Sequence, residues 1–110
     1  MKKGGEELYP TKYNGYYVTR SGKVFSAKTD SFITGKIDQN GYREMCLMVN
    51  GERKYVRVHI LVCEAFHKKP TGKGDDLEVN HKNKNRLDNR ASNLEWTTPA
   101  ENSQHRSDNK

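Results

Sequence analysis

The 110-residue sequence predicts a small α+β domain: a β-rich N-terminal part packed on one short helix, then a second hairpin and a closing helix. Three observations carry this. Turn signals punctuate the first half at short intervals, with strand-like stretches between them. Residues 59–66 form a short run whose apolar side chains cover most faces of a helix. The last third holds a brief apolar run, a polar loop, a second apolar run and a strong helix start. The length suits one domain. Hydrophobic residues make up 32% of the chain and the mean hydropathy is −1.10, so the core must be thin. Six tyrosines and the single Trp96 are expected to carry much of it, because each ring buries a large area.

Residues 1–8 read as a loose arm. Strand character begins at Tyr9. Tyr16-Tyr17-Val18-Thr19 and Lys23-Val24-Phe25-Ser26 flank Arg20-Ser21-Gly22, a tight turn, and Asp30-Ser31 and Asn40-Gly41 mark two more. The clearest hairpin joins residues 43–49 and 52–58 through Asn50-Gly51, a pair suited to the positive φ angles of a two-residue turn. Its register sets Met45 opposite Val56 and Glu44 opposite Arg57, one apolar and one opposite-charge pair. The helix at 59–66 stops at Lys68-Lys69-Pro70, and residues 71–76 form a Gly-rich loop.

Residues 77–79 read as a short strand that delivers Asn80 and His81. Residues 82–92 are a polar, mostly basic loop, and residues 93–97 are the return strand. Thr98-Pro99-Ala100-Glu101 is a capping box with proline at the first helical position, so a helix starts at Pro99. Asn102 falls in its first turn and Arg106 one turn further on the same face. The organisation expected is an arm at 1–8, a β-rich module at 9–57, a second unit at 58–106 and a frayed tail at 107–110. Tyr42, Tyr55 and Trp96 read as core.

The net charge of +6 and a pI near 9.4 favour polyanionic partners. No long apolar run or cationic amphipathic helix supports a membrane role. Cys46 and Cys63 match no zinc spacing; both lie in apolar stretches and read as buried thiols. The start Met1-Lys2-Lys3-Gly4-Gly5 has no apolar signal segment, and a reducing cytoplasm fits the cysteine usage.

The stretch Val79-Asn80-His81, Asn89, Asn93-Leu94-Glu95-Trp96-Thr97-Thr98 and Glu101-Asn102 resembles the HNH endonucleases, in the phage and homing branch of the ββα-metal nucleases. Val58-His59-Ile60-Leu61-Val62-Cys63-Glu64-Ala65-Phe66 also fits that branch, and residues 9–57 look like the small β-rich module often found ahead of it. The resemblance implies a ββα-metal hairpin and helix that hydrolyses DNA phosphodiester bonds, nicking one strand per site to leave a 5′-phosphate and a 3′-hydroxyl. It implies His81 as general base, Asn93 as the residue orienting it, and Asn80 with Asn102 as ligands of one divalent ion. Neutral imidazole titrates near neutrality and can accept a proton from water. Amide oxygens are hard donors that suit Mg²⁺ or Mn²⁺. Many relatives carry Asp or His in place of Asn80 and His in place of Asn102. The neutral pair here brings the ion no compensating charge, so binding without DNA should be weak.

Lys82, Lys84, Arg86 and Arg90 cluster in the loop beside the expected site and read as DNA phosphate contacts, with Arg106 as a further clamp. For His59, a hydrogen-bonded structural role and a contact to the site or to DNA both stand open. His105 competes with Asn102, although the spacing selects Asn102. His67 reads as surface. Asp75, Asp76 and Asp88 read as loop carboxylates, with Asp88 near enough to the site in sequence to matter. The sequence ends soon after the expected catalytic helix. The expectation is therefore relaxed sequence specificity on double-stranded DNA, or an address supplied by a second copy or a partner protein. Origin in a phage and action in the cytoplasm of a bacterial host follow from the resemblance. The alternative is a non-catalytic DNA-binding module that keeps the same fold.

Overall fold

The computed structural model describes residues 1–70 and 77–98. Among these residues it is an α+β arrangement of four small antiparallel sheets and one α-helix. Strands β1 (Lys2–Lys3) and β2 (Glu6–Glu7) form the first sheet. The expected loose arm is thus a hairpin, closed by Gly4 and Gly5 at positive φ and anchored by buried Leu8. Pairing of the amino terminus with the Glu7 carboxylate at 2.6 Å ties it further.

A four-stranded meander follows: β3 (Tyr9–Pro10), β4 (Tyr16–Val18), β5 (Val24–Ser26) and β6 (Ser31–Ile33). The predicted turn at 20–22 closes β4 onto β5, with Gly22 at φ +94° donating its N–H to the Thr19 carbonyl. A three-stranded sheet comes next, from β7 (Lys36–Ile37), β8 (Arg43–Val49) and β9 (Glu52–Arg57). Its β8–β9 hairpin has the expected register, Met45 against Val56 and Glu44 against Arg57. Asn50 and Gly51 both take positive φ, as a two-residue turn with native strand twist requires.

Helix α1 (Val58–Phe66) starts directly from β9 and ends at His67. It inserts Val58, Leu61, Val62 and Cys63 among Val18, Val24, Met45, Leu47 and Leu94. Full burial of each leucine here is worth roughly 2–3 kcal/mol, which is how a thin core suffices. The last pair, β10 (Glu78–His81) and β11 (Leu94–Thr97), packs on α1 through Leu94. The return strand begins one residue later than expected, because residues Ala91–Asn93 wind into a short 3₁₀ turn.

Three expected core positions differ. Tyr55 is 59% exposed, because the β9 alternation turns it to the outer face beside Cys46. Cys46 is accordingly an exposed free thiol, whereas Cys63 is buried and its thiol is pushed up to about 12 by desolvation. Tyr42 is half-buried and sits against histidines rather than in the apolar core. Trp96 does pack on the core, with its indole N–H donating to the His67 carbonyl at 2.9 Å. His67 is half-buried rather than free on the surface, its Nε2 lying 2.6 Å from the Ala91 carbonyl oxygen. The predicted capping box and helix from Pro99 lie outside the described residues, as do Asp75, Asp76, Asn102, His105 and Arg106. Among the described residues no helix is long and apolar enough to cross a membrane.

Candidate active site on the second hairpin

Pairing of β10 with β11 brings Asn80 and His81 beside the start of the return strand, at one end of a two-stranded ribbon. His81 lies opposite Leu94, and Asn80 lies opposite Glu95. His81 is buried, at 5% exposure. Its Nε2 lies 2.9 Å from Oδ1 of Asn89, itself buried. An amide oxygen only accepts, so this contact fits a proton on Nε2, the tautomer that in the neutral ring leaves the Nδ1 lone pair free.

Asn93 makes its side-chain hydrogen bonds within the loop, to Asn83 and Asp88. Its Oδ1 accepts the Asn83 N–H at 3.1 Å, and its Nδ2 donates to Asn83 Oδ1 at 3.0 Å and to the Asp88 carbonyl at 2.9 Å. These bonds tie Asn93 to the loop that follows His81. Its own carbonyl accepts the Lys82 N–H, and the Lys84 N–H closes back on the His81 carbonyl. The direct partner of the ring, Asn89, stood in the sequence only as part of the matching stretch. Polar loop positions carry no periodic signal to single it out.

Asn80 donates its Nδ2 to Glu95 Oε2 at 2.8 Å. This cross-strand bond leaves the Asn80 amide oxygen available as a hard donor. It also sets a carboxylate beside the neutral amide, a charge the sequence reading did not count. The signal was the register itself: residues 80 and 95 face each other once His81 is set against Leu94. Asn80 thus fits a hard divalent cation, with the other expected ligand, Asn102, outside the described residues.

The wall behind His81 comes from the N-terminal part. His59 lies with its ring 4.9 Å from that of His81, and Tyr42 stacks on His59 at 4.7 Å. His59 is 5% exposed, and burial, then the nearby His81 and Arg57, lower its pKa to about 4. Its Nδ1 has no hydrogen-bond partner among the described residues. The His59 ring thus packs directly against that of His81. The Arg57 and Arg86 guanidiniums lie 4.8 and 5.0 Å from the Tyr42 ring centre. Asp38 holds that turn by accepting from the Asn40 and Tyr42 N–H groups and from Arg57.

The basic loop residues divide. Lys82 and Lys84 are exposed. Arg86 is exposed but donates to the Asn40 carbonyl at 2.5 Å. Arg90 makes two bonds to the Asp88 carboxylate, at 2.8 and 2.7 Å, and that pairing, with a further bond from Asn83, holds the Asp88 carboxyl well below the usual range. Asp88 is a brace of this loop.

Comparisons with known proteins bear on the same part of the chain. Residues 56–104 match the HNH endonuclease family. An uncharacterized HNH endonuclease of Acanthamoeba polyphaga mimivirus is 34% identical over 84% of this chain and 27% of its own length. The DNA endonuclease I-HmuI of Bacillus phage SP01 is 34% identical over 78% of this chain and 48% of its own. H-N-H endonuclease F-TflI of Escherichia phage T5 is 32% identical over 74% and 41%. The chain thus spans about a quarter to a half of the length of these relatives. A solved structure described as DNA binding and cleavage by the HNH homing endonuclease I-HmuI superposes with a TM-score of 0.83 at 30% identity, over 94% of this chain and 59% of that one. The match of segment 56–104 makes that segment an HNH endonuclease unit, and the chain shares the fold of the I-HmuI structure.

Proposed function

We propose that the chain is a divalent-metal-dependent DNA endonuclease that nicks double-stranded DNA with relaxed sequence specificity. The observation that carries this is the pairing of a buried His81, its Nε2 bonded and its Nδ1 lone pair kept, with the adjacent Asn80, whose amide oxygen is kept available by Glu95. His81 takes the proton of the attacking water through Nδ1. Asn93 braces the loop that follows His81. Asn80 and Asn102 hold the ion, Mg²⁺ or Mn²⁺. When bound, the ion stabilises charge on the phosphate and the leaving oxygen. Glu95 supplies negative charge next to Asn80, so the neutral amide pair does not have to hold the cation alone.

Lys82, Lys84 and Arg86 are the residues proposed to track phosphates, with Arg106 as a further contact. Arg90 contributes less, because Asp88 already neutralises it. A single unit presents one base and one ion, so a double-strand break needs two copies or two visits. The DNA-cleaving relative and the viral sources of the others support a phage-type enzyme acting on DNA in an infected cell.

A silent DNA-binding module is the alternative, favoured by the uncharged Asn80. Relaxation of supercoiled plasmid tests the two. The nuclease converts it to open circles with Mg²⁺ or Mn²⁺ and stops on addition of EDTA. A silent module binds the plasmid, more weakly as salt rises, and never relaxes it.

A further inference from the structure

The contact that fixes the His81 ring comes from a residue the N-terminal sheet holds in place. Asn89 Oδ1 faces His81 Nε2 at 2.9 Å, and both side chains are buried. Behind Asn89 stands the β4–β5 turn. A Cβ placed on Gly22 would lie 2.5 Å from the Asn89 carbonyl oxygen and 3.0 Å from its Cβ. Only a residue without a side chain allows this approach, and the φ of +94° favours glycine independently. Two residues on, the Ala91 N–H donates to the Arg20 carbonyl at 2.8 Å. The turn therefore meets residues 89–91 at two points, Gly22 against Asn89 and the Arg20 carbonyl on the Ala91 N–H. Asn93, by contrast, spends its hydrogen bonds within the loop.

We propose that Asn89 is the positioning residue that sets the tautomer and ring direction of His81, and that the Gly22 turn of the N-terminal sheet is the seat that holds Asn89 there. The first half of the chain is then part of the catalytic geometry. The kinetic consequence rests on the nuclease reading above; the tautomer does not.

Ring-nitrogen NMR of the full chain reads the tautomer directly, with His81→Gln assigning the signals. The expected wild-type signature is a solvent-protected proton on Nε2 and ring contacts to His59. In Asn89→Leu, close in size but unable to accept, that proton exchanges with solvent and the ring contacts weaken. Asn89→Asp keeps an acceptor and restores both. In nicking assays Asn89→Leu lowers kcat by about a hundredfold with KM for plasmid unchanged, and Asn89→Asp recovers most of the loss. Gly22→Ala displaces the seat and gives a smaller loss of the same two signals, and it serves as the test should Asn89→Leu not fold. A wild-type proton on Nδ1 overturns the proposal. So does a folded Asn89→Leu, or in its place Gly22→Ala, that keeps the protected Nε2 proton. Wild-type protein that never nicks, yet loses the proton in Asn89→Leu, sinks the nuclease reading and leaves the positioning role standing.

Discussion

The chain closes two antiparallel strand pairs in opposite ways. The β8–β9 hairpin turns in two residues, Asn50 and Gly51, and its strands are held by an unbroken ladder from Val49–Glu52 to Glu44–Arg57. The β10–β11 pair is closed by residues 82–93, where no ladder exists. Side-chain amides replace it: Asn83 and Asn85 each accept the N–H two residues on, and Asn93 bonds to Asn83 and to Asp88. A tight turn needs only backbone geometry and tolerates exposure. A long loop around a buried histidine must satisfy its backbone groups with specific partners, since each orphan would cost about 1–3 kcal/mol. The difference fits a scaffolding part for the first hairpin and the proposed chemistry for the second.

The two regions meet at His59, where β9 runs into α1 and the ring lies beside His81. The largest expected effect is on stability against pH. His59 has its pKa lowered to about 4 in the fold, against 6.5 when exposed. Its contribution is thus present above pH 6.5 and is lost as the pH falls towards 4, because the unfolded chain takes up the proton first. The loss is roughly 3 kcal/mol at most. Thermal unfolding across this window should show a falling Tm, and His59→Phe should flatten it. An equally steep profile in the variant assigns the dependence to other groups.

A smaller effect separates loop from hairpin. Asn93→Ala strips three bonds from the loop and should cost about 2 kcal/mol of stability, with nicking reduced alongside. Chemical denaturation with matched nicking assays checks both; full activity with unchanged stability would refute the bracing role. Glu95→Gln should raise the Mg²⁺ concentration for half-maximal nicking by about tenfold, with plasmid binding unchanged. A metal titration reads this directly. Least of all, Gly51→Ala forces a side chain into φ +81° and should cost about 1 kcal/mol while nicking proceeds normally. A nicking defect there would break the division between scaffold and site.

How much was legible in the sequence follows the same division. Asn50-Gly51, Arg20-Ser21-Gly22 and Asn40-Gly41 announced their turns because backbone sterics admit few residues there. Met45 facing Val56 and Glu44 facing Arg57 came from counting outward from the turn. Asn80 and His81 were readable from their place at the end of a short apolar run, set against the spaced asparagines. What escaped was tertiary. Asn89, which meets His81, stands against Gly22 with its neighbour Ala91 bonded to Arg20, on a sheet far away in sequence. Tyr42 reads as core by composition, yet the turn gripped by Asp38 carries it to His59. Tyr55 and Cys46 share the outer face of the sheet, and only a register traced to the solvent side exposes them. The arm at 1–8 folds back through Gly4-Gly5, a pair that equally marks flexibility.

Single-turnover nicking of supercoiled plasmid by His81→Ala, beside wild type at the same Mg²⁺ and salt, is the most direct measurement. His81 acting as the general base predicts a loss of at least about a hundredfold in rate, with plasmid affinity retained and the variant folded. Nicking by the variant at the wild-type rate would contradict it, and the centre of the chemistry would have to lie elsewhere than at the end of β10.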